Sequence, residues 1–170
     1  MVVLGIDPGA KGALAWVTGD GHLIDVEDMP MSTVRDKLRV SAAGLALAFR
    51  ARRPDLVVIE GVGAMPGQGV SSCFSFGYSA GLIEGAAAGL GLPVEIVYAA
   101  AWKRRAGVPK DKGAARQMAT RFWPGAADKF KRVRDDGRAE AALLARWAVL
   151  RSDGPSAPHK RTAKPLGIFA

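Results

Sequence analysis

Cysteine is almost absent from the 170 residues: Cys73 stands alone, so no internal disulfide can form and a stapled secreted scaffold is excluded. Histidine is scarce too. His22 and His159 fall in a hairpin and near the end of the chain, which leaves no Cys/His cluster for a zinc site. No Gly-X-Y period runs through the 21 glycines, so a collagen-like chain is excluded. No long uncharged apolar run is present either. The most apolar window, Phe76 to Pro93, is rich in small residues and carries Glu84, so it is not read as a membrane span. Met1-Val2-Val3-Leu4 passes straight into Gly5-Ile6-Asp7 without a basic, then apolar, leader. A soluble cytoplasmic protein is expected. With 49% hydrophobic and 24% charged residues, the chain can bury a core, which excludes wholesale disorder.

The abundant feature is positive charge, and it is local. The net charge is +8, yet residues 101–134 alone sum to +9 and residues 151–170 to +3. A basic block on a slightly acidic body is the electrostatic footprint of a protein that binds a polyanion. Lys103, Arg104, Arg105, Lys110, Lys112 and Arg116 are its candidate phosphate ligands. Trp102, Phe122 and Trp123 lie among them and can stack or pack.

The segments alternate as β-β-β-α-β-α-β-α-α. Val2–Asp7, Gly12–Thr18 and a strand near His22–Glu27 form an antiparallel meander joined by Pro8-Gly9 and Gly19-Asp20-Gly21. Ser32 or Thr33 is expected to cap a long helix to about Arg53, on the spacing of Val34, Leu38, Leu45 and Phe49. Asp55–Glu60 is a short buried strand. Gly61–Gly69 is a loop, Ser71 or Ser72 caps a helix to about Leu90, and Pro93–Tyr98 is the fifth strand. Lys110–Phe122 is a basic helix, Gly125–Arg134 is irregular, and Asp136–Leu150 is an alanine-dense last helix. Helical crossovers make the later strands parallel. The expected fold is α/β: a mixed five-stranded sheet, antiparallel meander plus parallel strands, flanked by helices. Residues 1–150 form its single domain and 151–170 a basic, proline-containing tail.

Four acids stand out in that frame. Asp7 ends the first strand and Glu60 the fourth; if those strands are parallel neighbours, both carboxylates lie at the edge where open α/β sheets bind ligands. Asp136 and Glu140, four apart, share a helix face, with Asp135 beside them. Two carboxylates about 4 Å apart repel by roughly 4 kcal/mol at an effective dielectric near 20. A divalent cation reverses that sign. All-oxygen donors favour Mg²⁺, with Mn²⁺ as substitute, and two such ions suit phosphodiester hydrolysis. The plain alternatives are a turn at Asp7-Pro8-Gly9, a solvated Glu60, a helix cap at Asp136 and a surface charge at Glu140.

Leu4-Gly5-Ile6-Asp7-Pro8-Gly9, Val58-Ile59-Glu60, Trp102-Lys103 with Asp111-Lys112, Arg116 and Trp123-Pro124, and Asp136-Gly137-Arg138-Ala139-Glu140 through Ala145 occur in that order. Together they resemble the RuvC-type Holliday junction resolvases of the RNase H-like superfamily, in their phage and prophage branch, over about residues 1–150. The resemblance implies Asp7, Glu60 and Glu140 as metal ligands, with Asp136 at a further acidic position. It also implies a homodimer that nicks four-way DNA symmetrically, leaving 5′ phosphate and 3′ hydroxyl. The cellular pattern spaces the last two acids by three, where this chain has Gly137, so Asp136 or Asp135 must serve. It also carries an aromatic wedge where this chain has Gly63; Met65 and Phe74 are the substitutes at hand. Gly77, Gly81, Gly85 and Gly89 repeat every four residues, a smooth helix face for a second copy or for the protein's own sheet or another of its helices. The rival readings are an RNase H-like nuclease for flaps or RNA–DNA hybrids, a non-catalytic junction-binding module, and an actin-like phosphotransferase.

Overall fold

The computed structural model describes residues 1–61, 63, 67 and 69–151; Met65 and the tail 152–170 lie outside the described residues. Five strands form one mixed sheet: β1 (Val2–Asp7), β2 (Ala13–Thr18), β3 (Leu23–Asp28), β6 (Leu56–Gly61) and β7 (Val94–Tyr98). Their spatial order is β3-β2-β1-β6-β7. β1 and β2 pair antiparallel from Val2↔Thr18 to Asp7↔Ala13, and β1 pairs parallel with β6 through Ile6↔Ile59. The mixed sheet and the parallel contact between the first strand and the Asp55–Glu60 segment are as expected.

The expected long helix from Ser32 or Thr33 is corrected. Met31–Val34 (β4) and Lys37–Val40 (β5) form a hairpin, and only then does α1 (Ala42–Arg52) begin. Ser41 is the cap, its hydroxyl accepting the Gly44 N–H at 3.1 Å. Val34 and Leu38, half of the supposed apolar stripe, are exposed. The turn residues Arg35 and Asp36 take φ of 48° and 59°, as a two-residue hairpin with primed turn geometry requires.

α2 (Val70–Gly89) starts at Gly69 rather than at a serine cap. A helix not expected from the sequence, α3 (Ala99–Ala106), follows β7 directly and ends at Gly107, whose φ of 66° suits a left-handed cap. α4 (Lys112–Phe122) is capped by Asp111, whose carboxylate accepts the Ala114 N–H at 2.7 Å. The stretch read as irregular holds two 3₁₀ segments, Pro124–Phe130 and Val133–Asp135, before α5 (Asp136–Leu150).

Strand parity sorts two cores. Leu4, Ile6, Val57 and Ile59 face α1 and α2 with Leu45, Phe49 and Ile83. Val3 and Val58 face the other way, with Trp102, Ala141 and Ala145 from α3 and α5. By the same alternation Asp7 and Glu60 fall on the α3/α5 face. α5 reaches that face closely because Gly5 has no side chain: a Cβ there would sit 2.2 Å from the Ala141 carbonyl oxygen. Among the described residues no helix is long and apolar enough to cross a membrane.

Candidate active site

The register that aligns Ile6 with Ile59 sets Asp7 and Glu60, the next residue of each strand, at one sheet edge. α5 brings Glu140 and α3 brings Lys103 to the same place. The Lys103 ammonium lies 3.3 Å from Glu60 Oε1 and 3.0 Å from Glu140 Oε2, so one cation bridges two carboxylates. All three side chains are largely buried, at 22%, 14% and 17% exposure. Burial opposes the Lys103 charge, but Glu60 and Glu140 outweigh it and raise the ammonium's pKa above its ordinary value. The fully buried Trp102 donates its indole N–H to Glu60 Oε1 at 3.0 Å and packs on Trp147 at 6.4 Å.

Asp7 is the most perturbed member. Burial, then the negative charges of Glu140 and Glu60, push its pKa up to about 7, against smaller opposing pulls from Lys103 and Lys112. Those couplings put Asp7 in the same electrostatic cluster as Glu60 and Glu140.

Asp136 is turned to α4 instead. It pairs with the Arg116 guanidinium, and the Lys112 ammonium lies 3.8 Å away. Asp135 is fully buried and is occupied differently again. Its carboxylate accepts the Arg132 backbone N–H at 2.7 Å and the Arg132 guanidinium at 2.8 Å, closing a capping box. Burial works against its charge, but Arg132 holds it below the usual carboxylate range. Of the two alternatives left open by the sequence, Asp136 alone is adjacent to the basic helix, and Asp135 is committed to structure.

Of the six expected phosphate ligands, Lys103 lies inside the carboxylate set, and Lys112 and Arg116 pair with Asp136. Arg104, Arg105 and Lys110 are exposed. Sequence reasoning missed Trp102 as a partner of Glu60; the fingerprint Trp102-Lys103 contained it, but only the direction of α3 shows which atom the indole meets. Gly63 is exposed, and Phe74 stands 65% exposed on the first turn of α2.

Among the described residues, no three Asp, Glu, His or Cys side chains are placed closely enough to hold a metal ion. The Lys103 bridge accounts for the spacing: an ammonium occupies the place between Glu60 and Glu140. The donor set is all oxygen, and the position already accepts a positive charge, so these residues fit a hard divalent cation in place of Lys103.

The indole bond predicts a first result. A hydrogen bond to a charged group contributes about 1.5–3 kcal/mol. Trp102→Phe keeps the ring but frees Glu60 to turn, so turnover at this site should fall about tenfold and the melting temperature by several degrees. Unchanged turnover would show that the indole does not orient Glu60.

No family model and no curated protein matches the sequence. Among solved structures the chain is similar to Thermus thermophilus RuvC in complex with Holliday junction substrate, with a TM-score of 0.67 and 20% identity, over 93% of this chain and 99% of that one. It is also similar to a second Thermus thermophilus RuvC structure, with a TM-score of 0.62 and 21% identity, over 87% of this chain and 93% of that one. The chain therefore has the fold of RuvC.

Proposed function

We propose that this protein is a metal-dependent endonuclease that cuts branched DNA, four-way junctions foremost. The observation that carries the reading is the convergence of Asp7, Glu60 and Glu140 around one buried ammonium at the sheet edge of a RuvC-like fold. That the similar structure with 0.67 TM-score holds a Holliday junction supports the substrate. Asp7, Glu60 and Glu140 would hold Mg²⁺, or Mn²⁺ in its place, as two ions with Asp136 as the further ligand. When bound, such ions neutralise the scissile phosphate, activate water and stabilise the leaving 3′ oxygen. Lys103, held beside Glu60 and Glu140, would donate to a phosphate oxygen. Arg104, Arg105 and Lys110 hold backbone phosphates without reading sequence, so affinity should fall steeply with salt. Incubation with a four-way junction, a flap and an RNA–DNA hybrid in Mg²⁺ tests the reading. Preferred cutting of the junction supports it. Preferred cutting of the flap or hybrid transfers the site to another substrate, and binding without cutting in Mg²⁺ or Mn²⁺ removes the enzyme.

The working form is a homodimer joined through α2. Gly77, Gly81, Gly85 and Gly89 are exposed, and a Cβ built on any of them meets nothing within 4 Å among the described residues. The smooth face is therefore not packed on this protein's own sheet or another of its helices, the alternative the sequence left open. The three helix-interior glycines, Gly77, Gly81 and Gly85, cost roughly 3 kcal/mol, which close approach of a second helix would offset. Exposed Val70, Phe74 and Tyr78 extend the same helix's apolar surface. Gly81→Leu with Gly85→Leu should leave the fold intact, because the monomer has space for both. Sedimentation at micromolar concentration should show the wild type as a dimer and the variant as a monomer. A monomeric wild type would remove the interface.

A further inference from the structure

The layer that carries Lys103 and Glu140 also contains a cleft of about 500 Å³ between α3, α4 and α5. Arg105, Met118, Phe122, Arg146, Trp147 and Arg151 line it with smaller apolar neighbours, and no carboxylate is among the lining residues. Two of the three arginines have no carboxylate partner among the described residues. Arg151 gives both terminal nitrogens to Glu95, at 2.7 and 2.6 Å, while its buried Nε finds no acceptor among the described residues. Arg105 is exposed. Arg146 lies over the Phe122 ring, 3.7 Å from its centroid, and has no ion-pair partner among the described residues. Burial holds its guanidinium pKa below the ordinary value, a cost with no anion among the described residues to offset it.

The lining selects a ligand with two parts. An inorganic anion would leave the Phe122 and Trp147 walls without a purpose, and a purely apolar ligand would bury the Arg146 charge unpaired. A phosphate joined to a flat ring satisfies both. Position points to its source. On α3, Ala106 lies one turn beyond Lys103, and on α5, Trp147 lies two turns beyond Glu140 on the same face, and both line the cleft. Two turns are about 10 Å of helix, or about three nucleotide rises at about 3.4 Å each. A strand lying at the carboxylates thus reaches the cleft without leaving these two helices. An acidic aromatic peptide would match the lining but has no such continuity.

We propose that this cleft is a nucleotide subsite, which takes the phosphate of one unpaired deoxynucleotide on Arg105 and Arg146 and its base against Phe122 and Trp147. The source of the strand rests on the branched-DNA reading above; the binding chemistry does not require cleavage.

The test uses the full chain and a labelled eight-residue oligothymidylate. Arg146→Gln should weaken binding at least fivefold and reduce the salt slope by about one phosphate contact. Arg134→Gln, an exposed arginine outside the cleft, should change binding less than twofold. Photolysis of a 4-thiothymidine version should link the oligonucleotide to α4 or α5 peptides, and Phe122→Leu should lose that link. If Arg146→Gln does not fold, Arg146→Lys keeps the stem and charge, and the Phe122→Leu crosslink decides. Equal affinities with no such crosslink overturn the subsite. So does an eight-residue polyglutamate that displaces the oligonucleotide and itself depends on Arg146. Junction cleavage measured in parallel separates the two proposals: cutting with no Arg146 dependence of binding sinks the subsite alone, and oligonucleotide binding at the cleft without cutting sinks the nuclease alone.

Discussion

Asp7→Asn should bind a four-way junction as the wild type does, cut it about 10³-fold more slowly or not at all, and melt at a higher temperature in metal-free buffer at pH 8. The three effects share one cause. A carboxylate whose pKa rises from 3.8 to about 7 on folding is protonated in the folded chain over a range where the unfolded chain has already ionised. Its contribution to stability is therefore complete below pH 3.8 and declines as the pH rises toward 7. The whole loss corresponds to about 4 kcal/mol. Asn carries no charge and avoids that loss, so at pH 8 the variant should gain as much as roughly 10 °C. A divalent cation should separate the two proteins further. It binds the ionised cluster, so Mg²⁺ should raise the wild-type melting temperature at pH 8 and leave Asp7→Asn nearly unmoved. Removing several kcal/mol of charge stabilisation from the transition state accounts for the cleavage defect, since about 4 kcal/mol is a factor near 10³. Junction affinity comes from exposed cations such as Arg104 and Lys110 and should persist. Mg²⁺-dependent nicking by Asp7→Asn at the wild-type rate would remove the mechanism, and an unchanged melting temperature at pH 8 would remove the account of the site's charge.

The meeting of Asp7 and Glu60 was legible because it needs only two facts: each acid ends a strand, and the two strands are parallel neighbours. Alternation then chooses the face. Glu140 was legible from its position on the alanine-dense helix, whose small residues let it lie close to β1. The hairpin β4–β5 was not legible. Its turn, Arg35-Asp36, adopts left-handed backbone angles without the Asn-Gly or Asp-Gly pair that announces them, and exposed Val34 and Leu38 happened to continue the spacing of Leu45 and Phe49. Ser41, a better cap than Ser32, was the signal passed over. The place of Lys103 was not legible for a different reason. In sequence it belongs to a basic run, and a run of charge suggests a solvated face. In the fold, α3 leaves β7 so that one turn buries Trp102 and Lys103 against Glu60, while Arg104 and Arg105 stay outside. One-dimensional charge density cannot separate a residue inside a site from its neighbours on the surface.

Gly137→Ala should destabilise the protein by about 3 kcal/mol, lower its melting temperature by roughly 6–12 °C, and reduce cleavage along with stability. A Cβ at Gly137 would stand 2.6 Å from the Lys11 carbonyl oxygen and 2.9 Å from both Gly12 Cα and Asp7 Oδ2. Two of those three atoms are backbone in the tight turn between β1 and β2, where Gly12 itself admits no side chain: a Cβ there would lie 2.0 Å from the Asp7 carbonyl oxygen. Neither side can yield cheaply, so the strain must move the first turn of α5 away from β1 and carry Glu140 with it. This packing also explains the departure from the acid spacing that the resemblance leads one to expect. An acid three residues before Glu140 would drive its Cβ into Asp7 and place a further negative charge beside a carboxyl already pushed up to about 7. The acid proposed as the further ligand sits one residue earlier, at Asp136, where Arg116 and Lys112 neutralise it. Gly137→Asp in an Asp136→Asn background should therefore fail to restore cleavage and should melt below either parent. Restored cleavage in that double variant would show that α5 can shift to accept the acid, and that the glycine contact is not what fixed its position.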